Sequence, residues 1–121
     1  MIENEIKKIN TTMAFTSAML VAVAITIYVQ YGQKDMLLKG SNSKFTNKQI
    51  YNLSLLASAI FLIVIIYFEI LAIEQFDNEK TQAAENFLTA ATLSLIAQSL
   101  RFTTILESSP SEQINVEDIL P

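Results

Sequence analysis

The sequence predicts an all-α integral membrane protein with three transmembrane helices. The second and third form a tight antiparallel hairpin, with a short amphipathic N-terminus before the bundle and a short polar C-terminal tail after it. Three observations carry this reading. From Gln49 to Phe68 no residue is charged, and at about 1.5 Å rise per residue a helix of about 20 apolar residues spans the hydrocarbon of a bilayer. A buried helix of a soluble domain is the competing reading, but such a helix is expected to show a polar stripe, and Ile60 to Phe68 is apolar around the whole circumference. Finally, 51% of the 121 residues are hydrophobic, more than soluble domains usually carry. The chain is expected to be a single domain, residues 1–121, with spans at about 13–31, 53–73 and 86–106, a basic loop at 33–48 and a tail at 107–121.

Composition limits the chemistry. Cysteine and histidine are absent, which removes thiol nucleophiles, disulfides, metal sites built on thiolate or imidazole, and the usual general base near neutral pH. The remaining carboxylates, lysines, hydroxyls and single arginine fall into no phosphate-binding glycine loop, paired-acid motif or nucleophile elbow. No catalytic, cofactor-binding or metal-binding residues are assigned, and an enzyme is not expected. The net charge is −4, and the basic residues form no aromatic-interleaved patch, so nucleic acid is not an expected partner.

In chain order, Ile2, Ile6 and Ile9 recur at helical spacing among Glu3, Glu5, Lys7 and Lys8, which suits either a short amphipathic turn at the membrane interface or a frayed terminus. The first span, Met13 to Tyr31, lies in a charge-free window from Ile9 to Gln33. A signal peptide competes with it, because Ala22-Val23-Ala24 resembles a cleavage site, but the apolar run continues through Ile25, Ile27 and Val29. Ala14, Ala18, Ala22 and Thr26 make a ridge of small residues along this helix, of the kind that lets helices approach closely in lipid. Tyr28 and Tyr31 suit the interface, and Gly32 is the expected stop. Lys34, Lys39, Lys44 and Lys48 make the following loop the most basic segment, fit for lipid headgroups or for fixing topology. Thr46 and Gln49 have capping-box spacing ahead of the second span.

The stretch Glu74 to Glu85 has no proline or glycine, so helices two and three should be joined tightly, with Asp77 or Asn78 capping the third. That third helix is more polar: only fifteen residues separate Glu85 from Arg101, and an interfacial helix is the alternative to a span. Asn86, Ala90, Ser94, Ala97, Gln98, Arg101 and Thr104 share one arc of it. Such an arc should face the other helices, another subunit or water, as interhelical hydrogen-bonding surface, water-lined path or partner face. Glu69 and Arg101 are the two intramembrane charges; hairpin geometry separates them in depth, so each is expected to reach its own interface. In the tail, Ser109-Pro110-Ser111-Glu112 has cap spacing and Ile114, Ile119 and Leu120 are apolar, consistent with a docking peptide or a solvated tail.

Counting basic residues on each side of three spans places the N-terminus outside and the C-terminus in the cytoplasm. In size, span count and orientation the chain is similar to the three-span class of phage holins, a resemblance of architecture alone. Holins of that class carry a basic tail, whereas this tail has no lysine or arginine after Arg101. The expected role is a non-enzymatic accessory or packing subunit of a homo- or hetero-oligomeric membrane complex. Its expected partners are the lipid bilayer and a second copy or a larger membrane protein. The alternative is an oligomeric pore-forming or membrane-permeabilising protein, holin-like or a growth-arresting effector.

Overall fold

In the computed structural model residues 1–108 are described; the cap at Ser109–Pro110 and the apolar cluster of the tail lie outside the described residues. The described residues form three α-helices, α1 (Ile2–Lys39), α2 (Asn47–Glu79) and α3 (Gln82–Glu107), with a 3-10 turn at Gly40–Asn42 after α1 and no strand among them. Two of them, α1 and α2, are long and apolar enough to cross a membrane. In α3 the apolar run is interrupted by Thr89, Thr92, Ser94, Gln98 and Ser99.

The helix boundaries correct three expectations. Residues Ile2–Asn10 are the first turns of α1 and not a separate amphipathic element, because nothing between them and the apolar span breaks the helix. Gly32 does not end α1, which continues to Lys39, so the basic loop expected at 33–48 contracts to residues 40–46. The physical use of Gly32 is close approach: a Cβ there would meet Phe45 Cδ1 at 2.7 Å and Ile50 Cδ1 at 2.9 Å. The stop is Gly40, whose φ of 57° is one that residues with a Cβ rarely adopt. Finally, α2 runs to Glu79 and leaves only Lys80 and Thr81 as the connection. Neither Asp77 nor Asn78 caps α3; Thr81 does, its Oγ1 accepting from the Ala84 N–H at 3.1 Å. Lys80 takes a left-handed conformation (φ 46°) and donates its N–H to Phe76 O at 3.0 Å, closing the end of α2. The Thr46 capping box forms as the spacing anticipates, Gln49 N donating to Thr46 Oγ1 and Thr46 N to Gln49 Oε1.

All three helices bury a seam whose members alternate at steps of four and three. In α1 these are Ala22, Thr26, Val29 and Gln33, in α2 Ile50, Ser54, Ala57, Phe61 and Val64, and in α3 Ala84, Ala91, Gln98 and Ile105, with Leu88, Leu95 and Phe102 half-buried between them. This spacing suits side-by-side helices crossing at a small angle. Helix α2 is the middle element, packing against both α1 and α3. Val29, Ile50 and Ile105, one from each helix, meet at the end nearest the Gly40 turn. Many large apolar residues, among them Leu20, Ile27, Ile63, Leu93 and Leu100, are more than half exposed.

Gly32→Leu should therefore lower stability by about 1–3 kcal/mol through overpacking against Phe45 and Ile50, outweighing its better helix propensity. Thermal unfolding in mild detergent measures this; equal or greater stability in the variant would contradict the packing described here.

Candidate functional site

The polar chemistry of the described residues lies in three places: between α2 and α3, between α1 and α2, and at the turn joining α1 to α2. Between α2 and α3, Gln98 Nε2 donates to Ser58 Oγ at 2.9 Å and to Ser58 O at 3.3 Å, with Gln98 only 3% exposed. Further along, the Thr92 hydroxyl donates to Glu69 Oε1 at 2.8 Å, while Glu69 Oε2 is buried without a hydrogen-bond partner. The Tyr51 hydroxyl donates to Leu106 O at 3.4 Å. Partner numbers thus fall along α2 as they rise along α3. Between α1 and α2, Thr12 Oγ1 lies 2.9 Å from the Tyr67 hydroxyl and Phe15 stacks on the Tyr67 ring at 4.0 Å.

These contacts redistribute the sequence-derived sites. Of the small-residue ridge, Ala22 and Thr26 are buried, Thr26 Oγ1 donating back to Ala22 O at 2.9 Å, whereas Ala18 is half-buried and Ala14 exposed. At the level of Ala14 the contact to α2 is made by the Phe15 ring instead. The polar arc of α3 does not face the other two helices as a unit. Gln98 is buried and Arg101 half-buried, but Asn86, Ala90, Ser94, Ala97 and Thr104 are exposed. The reason is competition between neighbouring stripes: the seam of Leu88, Leu95, Phe102 and Ile105 offers far more apolar area, and Gln98 is where the two stripes overlap. Thr104 satisfies its hydroxyl on Leu100 O and Asn86 accepts from Gln82 Nε2.

The contacts also register charge. Because Thr12 meets Tyr67, Lys8 lies about one turn further out, near the level of Glu69. At the other end Lys34, Lys39, Lys44 and Lys48 are all exposed around the turn. Between those levels α1 and α2 carry no charge. Arg101 is nine residues beyond Thr92, the partner of Glu69, and so about 14 Å further along the axis. Glu69 is turned toward α3, where it accepts from Thr92.

A residue that sequence reasoning passed over organises the turn. Asp35 accepts the Ser43 hydroxyl at 2.6 Å and pairs with Lys39 Nζ at 3.1 Å. Ser43 Oγ in turn accepts the Phe45 N–H at 3.2 Å, and the Phe45 ring sits over Gly32 and beside Tyr28 and Tyr31. The only signal in the sequence was Asp35 and Lys39 at helical spacing. The Ser43 hydrogen bond, helped by that from Lys39, holds the Asp35 carboxyl below its usual range. No group of three acidic side chains able to hold a metal occurs among the described residues.

No family model, curated protein or solved structure matches the chain.

Two outcomes follow from these contacts. Thr92→Val leaves Glu69 without a donor and should lower stability by about 1–3 kcal/mol, whereas Thr92→Val with Glu69→Leu should recover most of that loss, since removing both partners avoids an unsatisfied buried group. Detergent-solubilised thermal unfolding of the two variants tests this, and an additive second loss would contradict it. For Asp35, the folded value lies below the unfolded one, so the stabilisation of the turn is complete at neutral pH and fades as pH falls through the lowered folded-state value. The protection of the Phe45 amide relative to its intrinsic exchange rate should fall in acid in the wild type but show no such limb in Asp35→Asn; identical acid limbs would show that Asp35 is not the group.

Proposed function

We propose that this chain is a multi-pass membrane protein in which all three helices cross the bilayer, α2 and α3 as an antiparallel hairpin. The N-terminus and the Lys80 connection lie outside; the lysine-bearing turn and the C-terminus lie in the cytoplasm. Support comes from the common charge-free zone of α1 and α2, about 30 Å deep along α2 at helical rise. The apolar residues that cover the outside of the bundle add to it: a water-soluble bundle would leave them in water. The third crossing is carried by the seam that holds α3 against α2 from Ala84 to Ile105. Arg101, half-buried, has a long enough stem to carry its charge toward the nearer interface.

Within the membrane the protein acts as a non-enzymatic accessory subunit, assembling with copies of itself or with a larger membrane protein. One observation carries this: the exposed face of α3 formed by Asn86, Ala90, Ser94, Ala97 and Thr104. In lipid, close packing and interhelical hydrogen bonds drive association, and a face of small and hydroxyl-bearing residues supplies both.

The same face favours a second reading, an oligomeric pore of the holin type. One protomer, with α1 and α3 packed on α2, has too few helices to enclose a channel, but several copies presenting Ser94, Arg101 and Thr104 to a common axis would line one. Arg101 separates the readings. As an anchor it tolerates Arg101→Lys, while Arg101→Leu loosens the depth of α3; as a lumen residue it makes Arg101→Glu invert ion preference.

The accessory reading predicts that Ala97→Leu shifts the purified protein toward the protomer in crosslinking and native mass measurements while its helix content and unfolding temperature stay the same. A wild-type protein that is strictly monomeric, with no co-purifying partner, would exclude it. A membrane potential unchanged at high expression would exclude the pore.

A further inference from the structure

Beside the turn that Asp35 organises there is a groove of about 490 Å³ walled by Tyr28 of α1, Lys44 and Phe45 of the turn, and Gln49, Asn52 and Leu53 of α2. We propose that this groove binds one anionic glycerophospholipid, with Lys44 meeting the phosphate. The inference rests on the membrane reading above.

Three features of the groove select this ligand. Its lining is mixed: Lys44, Gln49 and Asn52 supply a cation and amides, while Tyr28, Phe45 and Leu53 supply aromatic and aliphatic surface. A glycerophospholipid combines the matching groups, phosphate, glycerol esters and acyl chain. The groove also lies where charge ends along α2, since Lys48 precedes Gln49 and no charge follows until Glu69; headgroup and chain therefore meet the chemistry each needs at the depth each occupies.

The third feature is that the cation side is built and held. Ser43 is fixed by Asp35 and fixes the Phe45 N–H, and Phe45 packs over Gly32, so Lys44 is tethered on both sides. Gln49, in the groove wall, accepts the Thr46 N–H on Oε1, so the donor end of its amide is not the one used in the cap. The nearby carboxylate, Asp35, is engaged by Ser43 and Lys39. Of the residues walling the groove Lys44 is the one that carries charge, and a zwitterionic lipid would bring a second cation to it.

The test uses the full chain in mild detergent with equimolar phosphatidylglycerol and phosphatidylcholine, reading retained lipid by native mass spectrometry. Phosphatidylglycerol should be retained over phosphatidylcholine by about fivefold, the preference one well-placed lysine gives. Lys44→Gln should abolish this preference, and Lys48→Gln, one residue outside the groove lining, should preserve it. Equal retention of the two lipids, or equal effects of the two substitutions, would overturn the assignment. Displacement of the bound phosphatidylglycerol by millimolar inorganic phosphate would also overturn it, revealing a small-anion site instead. Alkaline carbonate extraction of the expressing membranes separates the two levels of the argument. A chain that is extracted defeats the membrane reading itself, whereas a chain that is retained but shows no lipid preference defeats only the groove assignment.

Discussion

Between Gln49 and Phe68 the middle helix carries no charge, and the serines within it, Ser54 and Ser58, are both turned inward and buried. Such a segment satisfies most of its backbone polarity within its own helix, and its inner face packs against both neighbours. The rest of the chain is registered on it. Helix α1 meets it through Tyr67 at one end and Ile50 at the other, and α3 meets it through Glu69, Ser58 and Tyr51.

That registration explains where the polar residues go. Small residues at the seams, Ala22, Ala57, Ala72, Ala84 and Ala91, allow the backbones to come close. The few hydrogen bonds between helices then fall where a polar side chain coincides with the seam, as Gln98 does with Ser58 and Thr92 with Glu69. One step round α3, Ser94 and Thr104 are exposed among the described residues. That exposure is the support for the assembly proposed through Ser94, Ala97 and Thr104.

The helical class and the two long apolar helices were legible from hydropathy alone, because lack of charge over about 20 residues needs no tertiary information. The Thr46 cap was legible for a similar reason: its signal is local. The misplaced boundaries share one cause. Gly32 signals a stop in the sequence because glycine permits left-handed backbone, but its missing side chain serves packing against Phe45 and Ile50, contacts made by residues more than ten positions away. Thr81 was overlooked as a cap because Asp77 and Asn78 are good caps too, and the choice among them is set by how far α2 extends. The arc on α3 was real as a pattern, but helical periodicity gives only angles around one helix and not which angle faces a neighbour. Asp35 was missed because its partner Ser43 lies across a turn whose geometry depends on Gly40.

The account stands or falls on whether α2 passes through the bilayer, and the absence of cysteine from the chain makes this directly measurable. Ser41→Cys and Lys80→Cys place single thiols beyond the two ends of the charge-free stretch. With a membrane-impermeant maleimide, the account predicts that intact cells label Lys80→Cys and not Ser41→Cys, and that inverted vesicles show the reverse. Labelling of both positions from the same side would contradict it.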